Sequence, residues 1–160
     1  MAPPAAFTLE QAARVADRVR AGGGRLVFTN GVFDLLHPGH VRYLHAARQQ
    51  GNALIVAVNS DASVRGNKGS TRPIVPAEER AELVAALEAV DAVVIFDEAT
   101  PYDTIRHLQP DVLVKGADWP ADQIVGRDLV EASGGRVVRI PIATGYSTTE
   151  LVSRVTSLPA

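Results

Sequence analysis

The sequence predicts an α/β protein with one open, parallel, five-stranded sheet and helices on both of its faces. Runs such as Ala53–Asn59 are continuously apolar, which is typical of strands that are covered on both sides. These runs alternate with segments of helical periodicity, as parallel strands joined by crossover helices require. A chain of 160 residues has the size of one ordinary domain with a sizeable core. We therefore expect one Rossmann-like domain over residues 1–160.

Composition and charge narrow the class of protein. Hydrophobic residues make up 46% and charged residues 21% of the chain, as in soluble globular proteins. The formal net charge of −2 argues against a nucleic-acid binder, which usually carries a basic stripe. No apolar run approaches the roughly 20 residues of a membrane span, and the first residues have no basic segment of a secretory signal. The chain has no cysteine and therefore no disulfides, which is compatible with the cytoplasmic protein that we expect. From its charge and hydropathy we expect no nucleic-acid or membrane partner.

The first third of the chain predicts a helix–strand–helix–strand order. Residues 1–22 form an N-terminal helical extension, in which Thr8 and Gln11 make a capping box and the glycines at 22–24 end the helix. A strand follows over 25–29. A helix then runs from about 39 to 50, ends at Gly51, and leads into the buried strand over 53–59.

The rest of the chain continues the alternation. A short helical turn begins at Ser60 and passes into a polar loop over 65–73. A helix with Pro76 at its first position carries apolar residues as far as Val90. Strands are predicted over 92–96, 111–116 and 136–140, with helices from about 100 to 109, from 127 to 133 and after Ser147. In such a sheet, ligands bind beyond the carboxyl ends of the strands, where the strand order reverses.

Residues 29–40, Thr-Asn-Gly-Val-Phe-Asp-Leu-Leu-His-Pro-Gly-His, organise the chain. They join a strand to a helix through a glycine-bearing loop, an arrangement in which backbone N–H groups and the helix dipole favour an anion. His37 and His40 stand three residues apart at the helix start, so both imidazoles can donate to one phosphate. The alternative for His40 is a buried core histidine, because it shares a helix face with Val41 and Leu44.

Two further groups follow the predicted strand ends. Lys115 precedes Gly116 and the pair Asp118–Trp119, which offers an acceptor and a stacking surface, although a strand-end lysine can also be simply solvated. Residues 147–150, Ser-Thr-Thr-Glu, form either an ordinary capping box or a pyrophosphate site at a helix start.

Arg80 falls on the apolar face of its predicted helix, where a charge needs an anion. Its partner is either an acid such as Asp61, in a structural salt bridge, or a phosphate. Lys68 and Arg72 lie in the predicted loop and are either solvated or able to close over phosphates.

These segments resemble the nucleotidyltransferase superfamily with a His-x-Gly-His signature, which also includes class I aminoacyl-tRNA synthetases. Over about residues 26–155 the chain is similar to the cytidylyltransferase-like nucleotidyltransferases, and among them to those that adenylate D-glycero-β-D-manno-heptose 1-phosphate. The phrases that carry the resemblance are residues 28–34, 58–63, 87–91, 110–116 and 147–149. It implies a single nucleotidyltransferase domain that makes ADP-heptose for lipopolysaccharide or related surface glycans.

The resemblance also implies roles for individual residues. His37, His40, Lys68 and Arg80 would act on phosphates as the catalytic set. Mg²⁺ would bind through the phosphates of ATP rather than through a protein metal site. Contacts to the nucleotide would come from Thr29, Asn30, Gly31, Phe33, Gly39, His40, Lys115, Gly116, Asp118, Trp119, Ser147, Thr148 and Thr149, and contacts to the sugar phosphate from Asp34, Asn59, Asp61 and Arg72.

The chain departs from the family pattern before its serine–threonine motif. Cytidylyltransferases carry an Arg-Thr-Glu-Gly run there, whereas residues 141–146 are Pro-Ile-Ala-Thr-Gly-Tyr. The missing arginine favours ATP over CTP, and Tyr146 has no assigned role. The heptose enzymes are often fused to a sugar kinase, for which 160 residues leave no room, so we expect a separate kinase upstream. A homodimer is compatible with the sequence.

Two other functions stay open at this point. One is the same chemistry on another acceptor: glycerol 3-phosphate with CTP, or a flavin or pantetheine phosphate with ATP. The other is a nucleotide-binding module without catalysis. An aminoacyl-tRNA synthetase is disfavoured, because the chain is short and lacks a basic surface.

Overall fold

The computed structural model describes residues 5–159, and a parallel sheet forms its centre. The helices are α1 Leu9–Ala21, α2 Pro38–Arg48, α3 Asp61–Lys68, α4 Ala77–Ala85, α5 Tyr102–Leu108, α6 Arg127–Ala132 and α7 Thr148–Thr156. The strands are β1 Leu26–Gly31, β2 Ala53–Asn59, β3 Ala92–Phe96, β4 Val112–Gly116 and β5 Arg136–Ile140, and a 3-10 turn spans Ala121–Gln123. In residues 5–159, no helix has both the length and the apolar character needed to cross a bilayer.

The sheet has the strand order β3-β2-β1-β4-β5, and all of its pairs are parallel. The predicted five-stranded parallel sheet is therefore confirmed. β1 lies at the centre, with Phe28 opposite Ile55 of β2 and opposite Leu113 of β4. The chain builds outward from β1 in one direction through β3 and then in the other through β5. The loops after β1 and β4 consequently diverge and leave a crevice at the carboxyl edge.

Helices cover both faces of the sheet, as predicted. One face packs against α1, α5 and α6, and its core includes Ala12, Ala16, Leu26, Phe28, Ile55, Ile105, Leu113 and Val130. The other face packs against α2 and α4, and its core includes Val27, Leu44, Ala47, Val56, Val58, Ala81, Val84 and Val114. Because successive side chains of a strand point to opposite faces, the central strands are buried throughout, which explains their continuous apolar runs.

Element boundaries differ from the prediction at three places. β1 starts at Leu26 and continues to Gly31, because its pairing with β2 extends to the end of the strand. α3 persists to Lys68 where a loop was expected from 65, since Ser60 caps its start and Val64 is buried against the protein. α4 stops at Ala85 rather than near Val90; the later apolar residues pack on the core from turns.

The N-terminal helix is part of the core rather than an appendage. Thr8 and Gln11 form the predicted capping box of α1, and Ala12, Val15 and Ala16 are buried against the sheet. Just before it, the N–H of Phe7 donates to the carbonyl of Val93, which partly covers the edge strand β3. The first four residues of the predicted extension lie outside the described part of the chain.

Gly51 lies where the end of α2 packs closely against β1, and its substitution tests that packing. A methyl group there would lie 2.7 Å from the Arg25 carbonyl oxygen and 2.6 Å from Val27 Cγ2, so Gly51→Ala forces backbone to shift. We expect a loss of about 1–3 kcal/mol in the free energy of unfolding, measured by chemical denaturation. Gly66→Ala in α3 is the matched control. A methyl there meets no atom within 4 Å, and the change should be neutral or stabilise by about 0.5–1 kcal/mol. Equal stability of the two variants would contradict this account.

Candidate active site

A cavity of about 430 Å³ opens at the carboxyl edge of the sheet, where β1 and β4 diverge. Its walls come from the loop and helix start after β1, the residues after β4 and β5, and the segment that contains Lys68 and Arg72. These segments lie far apart in the sequence and meet only through the strand order. The crevice therefore lies where the sequence predicted a ligand site.

The loop after β1 adopts an unusual backbone that Asp34 stabilises. Phe33 and Leu35 have φ values of 51° and 53°, a region that costs free energy for residues other than glycine. Between them, the buried carboxylate of Asp34 accepts hydrogen bonds from the backbone N–H groups of Ile74 (2.9 Å) and Val75 (3.0 Å). Hydrogen bonds of this kind to a carboxylate hold the loop in one conformation.

Asp34 also connects the loop to two other segments. Its carboxylate lies 3.4 Å from the Arg72 guanidinium, and its backbone carbonyl accepts a 2.7 Å hydrogen bond from the Thr148 hydroxyl at the start of α7. Asp34 was predicted to bind the sugar phosphate. In the structure the residue lines the cavity, but its carboxylate bonds to the protein.

Arg80 lies outside the cavity. Its side chain is completely buried, and its three nitrogens donate to the carbonyls of Val75 (2.8 Å) and Val32 (2.6 Å) and to Asp61 (2.8 Å). Of the two alternatives drawn from the sequence, this geometry matches the structural salt bridge and corrects the placement of Arg80 among phosphate ligands. Through these bonds Arg80 ties the loop after β1 to the start of α4. Loss of one partner of this buried pair would leave an uncompensated charge.

The two histidines of the signature lie side by side at the start of α2. Their rings stack with centroids 3.8 Å apart and planes at 19°. The N–H of His37 donates to Nδ1 of His40 over 3.3 Å, which places the proton of a neutral His40 ring on Nε2, where a ligand can accept it. Burial lowers the pKa of His40 to about 4, and the neighbouring His37 adds to the shift. Burial also lowers the pKa of His37.

An aromatic stack extends from the histidines to the loop after β5. The Tyr146 ring lies 6.1 Å from His37 at an interplanar angle of 20°, and the Arg42 guanidinium lies 5.2 Å from the centroid of Tyr146. Gly39 makes this approach possible, because a Cβ there would lie 2.9 Å from the His37 ring and 3.0 Å from Tyr146. The glycine of the His-x-Gly-His motif is thus required by side-chain packing across the cavity.

The residues after β4 place a cation and an aromatic ring at the opposite wall. Lys115 Nζ lies 5.3 Å from the centroid of the Trp119 ring. Burial lowers the pKa of Lys115 to about 8, and Asp118 opposes the shift. Gly116 allows the turn to close, since a Cβ there would lie 2.5 Å from the Asp118 carboxylate.

The start of α7 forms the third wall. The Ser147 hydroxyl accepts a 2.9 Å hydrogen bond from the N–H of Glu150 and so caps the helix. Ser147, Thr148 and Thr149 all line the cavity, although the Thr148 hydroxyl already donates to Asp34. Residues 147–149 therefore cap α7 and also line the cavity, so the two alternatives drawn from the sequence do not exclude each other.

The cavity brings together most of the residues that the sequence analysis singled out. Those that line it are Asn30, Gly31, Phe33, Asp34, His37, Gly39, His40, Lys68, Arg72, Lys115, Gly116, Asp118, Trp119, Ser147, Thr148 and Thr149. Four do not line it, namely Thr29, Asn59, Asp61 and Arg80. The Thr29 hydroxyl donates to the Val114 carbonyl and pairs with Tyr43, and the Asn59 amide donates to Ser63.

Besides Val32 in the loop after β1, three cavity residues were given no role by the sequence analysis. They are Tyr43, Ile142 and Tyr146. Tyr43 lies on α2 one turn after His40, a spacing that could have indicated the same wall. Its hydroxyl bonds to Thr29, and burial raises its pKa to about 12. Ile142 and Tyr146 sit in the loop after β5, for which the sequence offers no periodic pattern.

The side chains that line the cavity suit a metal ion that is bound through the phosphates of a nucleotide rather than by the protein. Within residues 5–159, no cluster of three or more His, Cys, Asp or Glu side chains could hold an ion. Of the two carboxylates at the cavity, Asp34 is engaged by backbone N–H groups, whereas Asp118 faces the β4 wall. Mg²⁺ commonly keeps its waters and binds through substrate phosphates, which requires no cage of protein ligands.

The low pKa of His40 is directly testable. In the ligand-free protein we expect the His40 ring to stay neutral until the pH falls to about 4, because burial disfavours the imidazolium. NMR titration of the His40 ring resonances would measure this pKa, and titration of His40 near 6.5 would contradict the buried, Nε2-protonated ring.

Known proteins share this fold and much of this sequence. The chain is 51% identical over 152 residues to the "Bifunctional protein HldE" of Gluconobacter oxydans, an alignment that covers 95% of this chain and 32% of that protein. It is 57% identical over 135 residues to the protein of the same name from Rhodopseudomonas palustris, covering 84% of this chain and 28% of that protein. The chain therefore spans about a third of the length of these relatives.

Solved structures support the same relationship. The crystal structure of a lipopolysaccharide core biosynthesis protein from Thermoplasma volcanium matches with a TM-score of 0.66 and 31% identity, over 76% of this chain and 99% of that one. A protein of unknown function from Archaeoglobus fulgidus, 20% identical with a TM-score of 0.59 over 77% of this chain and 93% of that one, shares the fold. The family model described as "Cytidylyltransferase-like" matches residues 28–154, and the chain belongs to that family.

Proposed function

We propose that this chain transfers AMP from ATP to a sugar 1-phosphate, D-glycero-β-D-manno-heptose 1-phosphate, and releases pyrophosphate. A phosphate oxygen of the acceptor attacks the α-phosphorus of ATP while the bond between that phosphorus and the bridging oxygen to the β-phosphate breaks. The observation that carries the proposal is the convergence of the stacked His37–His40 pair, Lys115 and the start of α7 on one cavity. Two polyanions must meet in such a reaction, and these groups can neutralise and align them.

The histidines would act as hydrogen-bond donors to the nucleotide phosphates. His40 offers Nε2–H, since its Nδ1 accepts from the backbone N–H of His37. As negative charge develops in the transition state, a donor already in place stabilises it without reorganisation. Because burial keeps the pKa of both rings low, they would enter the reaction as neutral donors.

Other cavity residues would hold the rest of the nucleotide. The hydroxyls of Ser147 and Thr149, with the N-terminal N–H groups of α7, suit the β- and γ-phosphates. Gly116, Asp118 and Trp119 suit the nucleoside, with Trp119 as the stacking surface. Lys68 lies at the end of α3 and would reach phosphate from the opposite wall. Mg²⁺ would arrive with the nucleotide and would supply neutralisation of the phosphate charge.

Several predicted ligands are better assigned to positioning. Asp34 and Arg72 hold each other and the backbone at 74–75, and Arg80 with Asp61 supports the carbonyl of Val32. Through these contacts they would fix the loop that aims His37. The sugar would then contact the exposed parts of the loop after β1 and the residues that follow β4.

The relatives support the choice of acceptor. They are named bifunctional, and the match covers about a third of each, which supports a single activity for this part. The resemblance to heptose-1-phosphate adenylyltransferases supports adenylyl transfer as that activity, and a sugar kinase would supply the 1-phosphate. The segment 141–146 has no arginine, which favours ATP over CTP.

His40→Ala should lower kcat by about 10²–10³, by analogy with the loss of an oxyanion-hole donor. His107→Ala is the matched control, because His107 is exposed on α5 and does not line the cavity. Pyrophosphate release with ATP and heptose 1-phosphate measures both variants. An unchanged kcat for His40→Ala would remove His40 from the mechanism.

A panel of substrates tests the activity itself. We expect ATP with heptose 1-phosphate to give the highest kcat/KM by at least about tenfold over ATP or CTP with glycerol 3-phosphate, because a site that hydrogen-bonds its own substrate rejects others. Faster turnover of CTP with glycerol 3-phosphate would identify the chain as a cytidylyltransferase. Tight ATP binding without turnover on any acceptor would identify a nucleotide-binding module.

A further inference from the structure

Lys115 is a largely buried cation without an anion. Among residues 5–159 its ammonium forms no ion pair and no hydrogen bond, and the Trp119 ring covers it at 5.3 Å. Removing a charge from water without a partner is costly, and the pKa of Lys115, lowered to about 8, reflects that cost. Because the residue lines the cavity, an anionic ligand can supply the missing partner.

Asn30, next to Lys115, carries a second polar group without a hydrogen-bond partner among the described residues. Phe28 of β1 is paired with Leu113 of β4, and both belong to the core on the α1 side of the sheet. Two residues further along each strand, Asn30 and Lys115 lie side by side on that same face and both line the cavity. The Asn30 side-chain oxygen is buried and has no hydrogen-bond partner among the described residues. A neutral amide suits a hydroxyl better than a phosphate.

The other partly buried cation of the cavity already has a partner. Arg72 pairs with Asp34 at 3.4 Å. The triphosphate side of the proposed reaction has two imidazoles, Lys68 and the start of α7. The incoming phosphate of the acceptor needs a cation of its own, and Lys115 is placed to provide it.

We propose that Lys115 and Asn30 form the acceptor subsite, with the ammonium on the phosphate of the sugar phosphate and the amide on a sugar hydroxyl. This inference rests on the proposed function. It departs from the resemblance, which places Lys115 along the nucleoside. The subsite lies where β1 and β4 diverge, so the acceptor approaches from the β4 wall toward phosphates held at α2 and α7.

Lys115 must be charged to act in this way, and its surroundings set the relevant pH. Asp118 raises its pKa from the same wall, and burial lowers it. On β5, Arg139 is opposite Lys115 in register and donates to the Ala117 carbonyl; across the cavity lie His37, His40 and Tyr43. As the pH rises through about 8, the ammonium is lost in the free protein and the acceptor should bind more weakly.

Steady-state kinetics of Lys115→Met and Lys115→Arg test the subsite once the wild type turns over. We expect Lys115→Met to raise KM for heptose 1-phosphate about 10- to 100-fold, the range for one charge-assisted hydrogen bond, while KM for ATP changes less than about twofold. Lys115→Arg should recover most of that loss. It should also abolish the fall of kcat/KM for the acceptor above pH 8, because arginine keeps its charge. A rise in KM for ATP with an unchanged acceptor KM would overturn the proposal.

Asn30→Ala and Asn30→Asp complete the kinetic test. We expect Asn30→Ala to raise the acceptor KM. Asn30→Asp should raise it further, because its carboxylate would pair with the Lys115 ammonium and repel the acceptor phosphate. Arg106→Ala, which removes a surface charge on α5 away from the cavity, is the net-charge control for Lys115→Met. Wild-type kinetics in both Asn30 variants would remove that residue from the subsite.

Lysine labelling separates the subsite from the proposed activity. The chain has only two lysines, Lys68 and Lys115, so mass spectrometry of two peptides follows both after acetylation near pH 8. We expect heptose 1-phosphate to slow labelling of Lys115 more than of Lys68, even in a preparation that shows no turnover. Protection of Lys115 by ATP but not by heptose 1-phosphate would assign it to the nucleotide and overturn the inference.

Discussion

The buried carboxylate of Asp34 is the interaction on which the site depends. It accepts the backbone N–H groups of Ile74 and Val75 and lies beside Arg72, while its carbonyl holds Thr148. One residue thereby joins the loop after β1, the approach to α4 and the start of α7. Two neighbours of Asp34 have left-handed backbone, which only such a set of contacts can maintain. Without Asp34, the walls of the cavity would lose their common anchor.

The sheet topology explains why an anion site forms here at all. β1 is central, and the chain leaves it in opposite directions through β2 and later β4. Helix α2 begins directly behind the crevice, and the start of α7 is brought to the same place by the Thr148 hydrogen bond. Two positive helix ends and a set of short side chains then face one volume, and that geometry favours phosphates without a dense cluster of lysines.

Local patterns predicted the fold and the location of the site, because apolar runs and helix starts are encoded by neighbouring residues. The five strands and the strand–loop–helix unit around His37 followed from such patterns. The direction in which a long side chain points could not be predicted from such patterns. Arg80 lies on an apolar helix face as expected, yet whether its guanidinium reached phosphate or protein depended on Val32 and Asp61, which are distant in sequence. The stacking of Tyr146 on His37 could not be predicted either, because the loop after β5 has no periodicity that indicates its partner.

The low pKa of the stacked histidines has a consequence for how ligands are taken up. Both rings are neutral at physiological pH when the cavity holds no anion, and the two are in contact. A triphosphate placed against the pair stabilises the imidazolium form of His37, whose Nδ1 has no hydrogen-bond partner among the described residues, so its arrival draws protons from the solvent. The measured heat of association should then vary with the ionisation enthalpy of the buffer, and affinity should increase toward mildly acidic conditions. Proton uptake thus becomes a thermodynamic signature of occupancy, separate from any chemical turnover.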